Sequence, residues 1–345
     1  MRILIDAMSG DNAPLEIIKG VALAKKEYPE HTYMLVGNEN VVSDTAIKNG
    51  INLSGIEIID SVSVITMEDN PLCVIRSKKD SSMSVGLKAL ATGDADAFVS
   101  AGNTGALITG ATIIVKRIPG INRAAIASVL PLGNPVLLMD SGANLTVTSD
   151  NICQFAFMGA KYMEKIYNID RPRVGLLNNG TEYNKGNPLQ IESYQLLLDS
   201  GLEFVGNVEG KAVPFNVCDV LVTDGFTGNI FLKTVEGMGK FMLSMLKEVL
   251  TTNIVTKVST LTMGEKIREL KHRFDAGEHG GAPLLGISRP VIKAHGSSDA
   301  NAIKNAIRQT IHFVETGIND EIKAFAMDYD IKKILADAEK LYTEI

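Results

Sequence analysis

Short apolar runs that stop abruptly at Gly, Asn, Asp or Ser recur along this chain, and helical patterns separate them. The first is Arg2-Ile-Leu-Ile5, ending in Asp6-Ala-Met-Ser-Gly-Asp11. Pro14 then sits at a helix's first turn, and Ile17, Ile18, Val21, Ala22 and Ala24 make a stripe of helical period. Thr32 to Val36 closed by Gly37-Asn38, a helix near 40–48 and a strand at Ile56 to Ile59 continue the alternation. Asp96-Ala-Phe-Val99 leads into Ser100-Ala-Gly-Asn-Thr-Gly-Ala-Leu107, which reads as strand, glycine turn and the start of a helix reaching Val115. Pro135 to Met139 ends in Asp140-Ser-Gly-Ala-Asn144, Arg173 to Leu177 in Asn178-Asn-Gly-Thr-Glu182, and Val217 to Thr223 in Asp224-Gly-Phe-Thr-Gly-Asn229. Strands and helices alternating at this spacing predict a three-layer α/β fold with a mainly parallel sheet. Loops after parallel strands share one edge, so Asp6, Ser100, Asn103, Asp140, Asn144, Asn178 and Asp224 are expected to converge on one cleft.

Thr227 to Leu250 is the longest helical pattern, with Phe241, Met242, Met245, Leu246, Val249 and Leu250 along one face. A second stripe follows at Ile254, Val255, Val258 and Leu261, then a basic cluster at Lys266, Arg268, Lys271, His272 and Arg273. Two readings remain: core or subunit packing, or a protruding helical pair over 238–275 whose apolar tip meets a membrane surface. In Gly280-Gly-Ala-Pro-Leu-Leu-Gly286, glycines around an apolar Pro-Leu-Leu suggest a loop lining a narrow channel, and His295-Gly-Ser-Ser298 holds the best histidine for an anion.

Composition narrows the field. The 345 residues, 45% hydrophobic and 21% charged, suffice for roughly two domains or for one large two-lobed unit, and a single two-lobed catalytic unit over 1–345 is expected. A formal charge of −6 without a basic tract argues against nucleic acid. Cys73, Cys153 and Cys218 are far apart, which points to free thiols in a reducing compartment. Neither a signal peptide nor a transmembrane run is visible, so the protein is expected in the cytoplasm.

The chain lacks a Gly-x-Ser-x-Gly elbow, a Walker lysine loop and a His-Glu-x-x-His pair. What it has is a set of Asn, Ser, Thr and Gly loops suited to positioning an oxyanion. Gly102 and Gly105 allow close backbone approach, and Ser100, Asn103 and Thr104 add hydrogen-bonding side chains at a helix N-terminus. Lys78-Lys-Asp-Ser-Ser-Met83 reads either as a helix entry capped by Ser81 or Ser82, or as two lysines aimed at a phosphate.

Together these motifs, in the same order from residue 1 to about 310, resemble the bacterial phosphate acyltransferases. The resemblance implies transfer of a fatty acyl group from acyl-acyl carrier protein to inorganic phosphate for phospholipid synthesis. It also implies a fold similar to isocitrate and isopropylmalate dehydrogenases and phosphate acetyltransferase, a homodimer, and peripheral membrane association through Ile254, Val255, Val258 and Leu261. Ser9 replaces a glycine of the family pattern, Asn179 an aliphatic residue and Thr181 a glutamate. In the mechanism expected on this basis, phosphate binds at Ser100, Gly102, Asn103, Thr104 and Gly105, with Asp6, Asp140 and Asn144 nearby. Lys185 and His295 supply charge or donors, Asn229 stabilises the oxyanion, and Asp224 orients. The scheme needs no metal or cofactor. Alternatives are a phosphate acetyltransferase using acetyl-coenzyme A, a decarboxylating dehydrogenase (whose arginine cluster and paired aspartates are not evident), and a non-enzymatic carrier-binding membrane scaffold.

Overall fold

A computed structural model describes residues 1–252, 264, 266–267 and 280–329. In chain order the strands are β1 (Arg2–Asp6), β2 (Thr32–Gly37), β3 (Ile56–Asp60), β4 (Ala97–Ser100), β5 (Ala125–Ile126), β6 (Ser128–Leu130), β7 (Val136–Met139), β8 (Arg173–Asn178), β9 (Glu203–Glu209), β10 (Val220–Val222), β11 (Ala282–Leu285) and β12 (Val291–Lys293). The helices are α1 (Leu15–Glu27), α2 (Glu39–Lys48), α3 (Ser82–Thr92), α4 (Thr104–Gly110), α5 (Ser149–Tyr167), α6 (Pro188–Leu198), α7 (Gly225–Leu250) and α8 (Ala300–Glu315).

The strands form two sheets rather than one. The first is seven-stranded, in the order β3-β2-β1-β4-β12-β11-β5, and the second five-stranded, β6-β7-β10-β8-β9. Strands β3, β2, β1, β4 and β12 run parallel, and β11 and β5 pair antiparallel beyond them. In the second sheet only β6 is antiparallel to its neighbour. Only Ala127 separates β5 from β6, so one extended segment enters both sheets.

Helices cover both faces. Ile17, Ile18, Val21 and Ala24 of α1 pack with Ile303, Ala306 and Ile307 of α8 against Ile3, Ile5, Val99 and Ile292. The two helices touch closely: a Cβ on Gly20 would lie 2.5 Å from the Ile303 Cβ. On the other face α3 and α4 bury Met83, Leu87, Leu90, Ala106 and Leu107 against Leu4, Phe98 and Val291. Each fully buried Leu, Ile, Val or Phe contributes about 1.5–3 kcal/mol. That is ample to carry the polar last residue of each strand into place. In the second sheet α5 covers one face, and Phe231 and Leu232 of α7 pack against the other.

Three expectations are corrected. The apolar Pro283-Leu-Leu285 is strand β11, not a channel loop; Leu284 and Leu285 are buried in two core clusters. Pro283 is tolerated there because its carbonyl still accepts from the Ala127 N–H, at 3.0 Å. The helix expected to run from the Ser100–Leu107 stretch to Val115 starts at Thr104, is α-helical only to Gly110, and widens into a π turn over Ala111–Val115. The polar loops sit on two sheet edges instead of one, because the chain divides its strands between two sheets.

Candidate active site

Strands β1, β4 and β12 are parallel neighbours, with Ile5 opposite Val99 and Ser100 opposite Lys293. Asp6, Ser100 and Lys293 therefore end three adjacent strands at one edge. The Ser100 hydroxyl donates to Asp6 Oδ2 at 2.8 Å and accepts from the Gly102 N–H at 3.1 Å; both side chains are buried. Burial pushes the Asp6 carboxyl above its ordinary value, while the hydroxyls of Ser82, Ser9 and Ser100 and the Met8 N–H pull the other way. Ser82 is the first residue of α3, so the N-terminal end of that helix lies near the carboxylate.

Lys293 escapes the motif reading, since three residues of strand are too few to show a pattern. A lysine closing the buried Val291-Ile292 run, two residues before His295, is the signal that marks it. Burial pushes its ammonium down to about 8, opposed by Asp11 and Asp6, and the ammonium donates to the Ala294 carbonyl.

His295 stands at the mouth of this edge. Its Nδ1 accepts from the Ser297 N–H at 3.3 Å and lies 2.9 Å from the Ser297 hydroxyl. The neutral ring consequently carries its proton on Nε2, a donor for a ligand. Partial burial pushes the His295 pKa down, Lys293, Lys233 and Lys240 push the same way, and Glu236 opposes them. His295 thus supplies a donor rather than positive charge. The influence of Lys233, Glu236 and Lys240 places α7 as the facing wall. Asp11 N–H to Gly296 O (2.8 Å) and Asn12 Nδ2 to Ser297 O (3.2 Å) tie the first loop to the histidine loop.

The Ser100–Gly105 loop is built differently from expectation. Asn103 Oδ1 caps α4 through the Ala106 N–H at 3.0 Å, and its Nδ2 donates to the carbonyls of Thr66, Met67 and Asp69 at 3.1–3.2 Å. The side chain shapes the loop, leaving the Thr104 and Gly105 N–H groups at the helix start. Gly102 is required for packing: its Cβ would fall 2.7 Å from Met83 Cε and 2.8 Å from Ser9 Cβ. The lysine question resolves toward structure, since Lys78 pairs with Asp69 at 2.6 Å and Ser81 caps α3.

The second edge is a lock between β7 and α7. Asp140 is fully buried and accepts from the N–H groups of Ile126, Gly142, Ala143 and Asn144 and from Asn144 Nδ2, at 2.7–3.1 Å. Asn144 also donates to Ala124 O at 2.7 Å, and Asn229 to Ser141 O at 3.0 Å. Asp224 caps α7 through Thr227. A Cβ on Gly228 would lie 1.9 Å from Asp140 O. Asp140 and Asn144 therefore hold backbone rather than present free oxygens or amides. Lys185 lies on an exposed loop after β8, its carbonyl taken by Asn178 Nδ2 at 3.1 Å and its side chain against Gly180. These contacts give it no link to His295.

Ile254, Val255, Val258 and Leu261 lie outside the described residues, as does most of 253–275. On α7 itself Met238, Phe241, Met242, Met245 and Val249 are exposed. The three cysteines are buried, and burial pushes Cys153 to about 11 and Cys218 to about 12, unsuited to thiolate chemistry. Among the described residues no three His, Cys, Asp or Glu side chains are grouped to hold a metal. A cavity of about 510 Å³ lined by Met1, Asp96, Arg289, Phe313 and Asn319 opens at the opposite ends of β1, β4 and β12.

A family model described as "Fatty acid synthesis protein" matches residues 1–321. The chain is 45% identical over 324 residues to the phosphate acyltransferase of Thermoanaerobacter pseudethanolicus, covering 94% of this chain and 96% of that one. It is 46% identical over 325 residues to that of Anoxybacillus flavithermus, covering 94% and 97%. The chain belongs to the phosphate acyltransferase family. It is thus an enzyme, an acyltransferase. The fold of this family member is similar to a phosphotransacetylase from Streptococcus pyogenes (TM-score 0.58, 18% identity, 95% and 94% of the two chains). It is also similar to a 4-hydroxythreonine-4-phosphate dehydrogenase assigned in Salmonella typhimurium (TM-score 0.56, 12% identity, 90% and 98%). That likeness agrees with the three-layer α/β architecture expected from the sequence.

Proposed function

We propose that this acyltransferase moves a fatty acyl group from acyl-acyl carrier protein to inorganic phosphate, releasing acyl-phosphate for phospholipid synthesis. The observation that supports it best is the edge formed by β1, β4 and β12, where His295 presents a neutral Nε2–H donor near the half-buried Lys293 ammonium. Donors converge there without an activated serine or cysteine, which suits a nucleophile supplied by the substrate. A phosphate oxygen attacks the thioester carbonyl directly. The His295 Nε2–H and the first amides of α4 hold phosphate, and Asn229 stays a candidate for the oxyanion. Phosphate is partly dianionic at neutral pH and needs no strong base.

The fatty acyl donor rests on the family description and on the relatives' name. The same reading assigns the protein to the cytoplasm as a homodimer with peripheral membrane contact. The exposed apolar face of α7 supplies surface for either association, and no described helix is long and apolar enough to cross a membrane. A second reading, transfer from acetyl-coenzyme A, is favoured by the phosphotransacetylase-like fold.

The test mixes purified protein with long-chain acyl-acyl carrier protein, with and without phosphate, and measures free carrier thiol and hydroxylamine-trappable acyl groups. Phosphate-dependent release of both is expected. Activity on acetyl-coenzyme A alone would transfer the protein to the second reading, and silence with both donors would favour a scaffold.

A further inference from the structure

We propose that Lys293 is a catalytic residue, the acid that delivers a proton to the sulfur leaving the thioester. The inference rests on acyl transfer from a thioester to phosphate, as above, and adds a residue and a role. Direct attack leaves one chemical need unmet. The departing alkyl thiolate is more basic than the attacking phosphate, so unless the sulfur is protonated the tetrahedral intermediate expels phosphate and returns to thioester, and neither the buried cysteines nor the neutral His295 offers that proton.

Lys293 ends β12 beside Ser100, at the edge where open α/β sheets bind ligands. Three features set it apart from a surface lysine. Side chains alternate across a strand, which puts Lys293 on the same side of the sheet as Val291, the side that α3 covers. The carboxylates it faces are Asp6 from β1 and Asp11 from the first loop, while His295 and, beyond it, Lys233, Glu236 and Lys240 of α7 complete the charged surroundings. Among the described residues neither carboxylate makes an ion pair with it, and the ammonium donates its hydrogen bond to the neighbouring Ala294 carbonyl. An ammonium so placed is poised near neutrality as an acid, the condition for efficient proton transfer at working pH.

The step balances. The hydrogen phosphate dianion forms a C–O bond to the carbonyl carbon, giving a tetrahedral intermediate. As it collapses the C–S bond breaks, its electron pair stays on sulfur, and Lys293 Nζ gives up a proton to make the thiol. The lysine regains a proton through water from the P–OH of the acyl-phosphate, which leaves as the dianion.

The experiment compares wild type, Lys293→Gln and Lys293→Arg on two fatty acyl thioesters, one of an alkyl thiol and one of an aryl thiol whose thiolate leaves without protonation. With the alkyl donor both variants are expected to lose about 10²-fold or more in kcat. The loss with the aryl donor should be under about tenfold. The wild-type alkyl rate should also fall as pH rises through about 8, a limb absent from the variants. Equal losses on both donors, or a full alkyl rate in Lys293→Arg, would overturn the proposal. Melting curves of each variant separate misfolding from lost chemistry. Should wild type form no acyl-phosphate from either thioester, it is the underlying functional reading that fails.

Discussion

Replacing Asp140 with Asn tests the lock between β7 and α7 by removing one oxygen and almost nothing else. Oδ1 accepts from Ile126, Gly142 and Ala143 at 3.0–3.1 Å, and Oδ2 from Asn144 N and Nδ2 at 2.7 and 2.9 Å. An asparagine can match only one of these sets. With its NH2 in the Oδ1 position it opposes the Ile126 and Gly142 N–H groups; in the Oδ2 position it opposes both Asn144 donors. About two buried donors lose their acceptor either way, at about 1–3 kcal/mol each. Relief of the buried charge, which already pushes this carboxyl upward, offsets part of that cost. The net expectation is a loss of about 2–4 kcal/mol. Urea unfolding followed by circular dichroism measures it, with Asp224→Asn at the half-buried N-cap of α7 as the control, expected to cost under about 0.5 kcal/mol because Asn caps a helix as well as Asp does. A change in Asp140→Asn below about 0.5 kcal/mol, within ordinary surface-mutation scatter, would refute the account of the lock.

Other expectations follow from the same geometry. Gly228→Ala forces its new Cβ away from a carbonyl 1.9 Å distant, so melting temperature and acyl-phosphate formation should fall together; unchanged values of both would contradict the packing described. Asn103→Ala removes the α4 cap and three bonds to the 66–69 loop, and should cost about 1–3 kcal/mol while raising the KM for phosphate more than it lowers kcat. Burial would raise the Asp219 carboxyl, but its bonds to Arg173 override this and hold it below its ordinary value of 3.8. Its contribution is therefore present above that value and lost as pH falls through the folded pKa. Asp219→Asn should flatten the acid limb of a stability-against-pH curve, and an unaltered limb would show the pair to be inert.

Much of the architecture is written in the alternation of short apolar runs with polar stops, because a buried parallel strand needs the first and a sheet edge the second. Asp6, Ser100, Asp140, Asp224 and His295 all fall at such stops. Harder to read is what each stop does. Asp140 and Asn103 look like ligand-binding residues, yet their atoms are engaged by backbone, and only the folded loop reveals that. Pro283 and three nearby glycines read as a loop because Pro and Gly punctuate turns; antiparallel pairing with β12 and β5 makes a strand of Ala282–Leu285 between those glycines. Lys293 was hidden by the shortness of β12, and its neighbours Asp6 and Ser100 come from distant parts of the chain. Motif reading recovers groups within a loop. It is blind to groups that only sheet order brings together.

The position of β12 also has a consequence in time. It inserts against β4, near the middle of the first sheet, yet it lies about 190 residues downstream of Ser100. At about 5–20 residues per second, synthesis leaves the edge of β4 without that neighbour for about 10–40 s. Throughout that interval the growing chain carries an open, apolar strand edge of the kind that recruits other chains. Ribosome-bound chains ending before β12 should accordingly attract chaperones strongly, and release from them should coincide with emergence of the 291–298 segment, the same segment that brings Lys293 and His295.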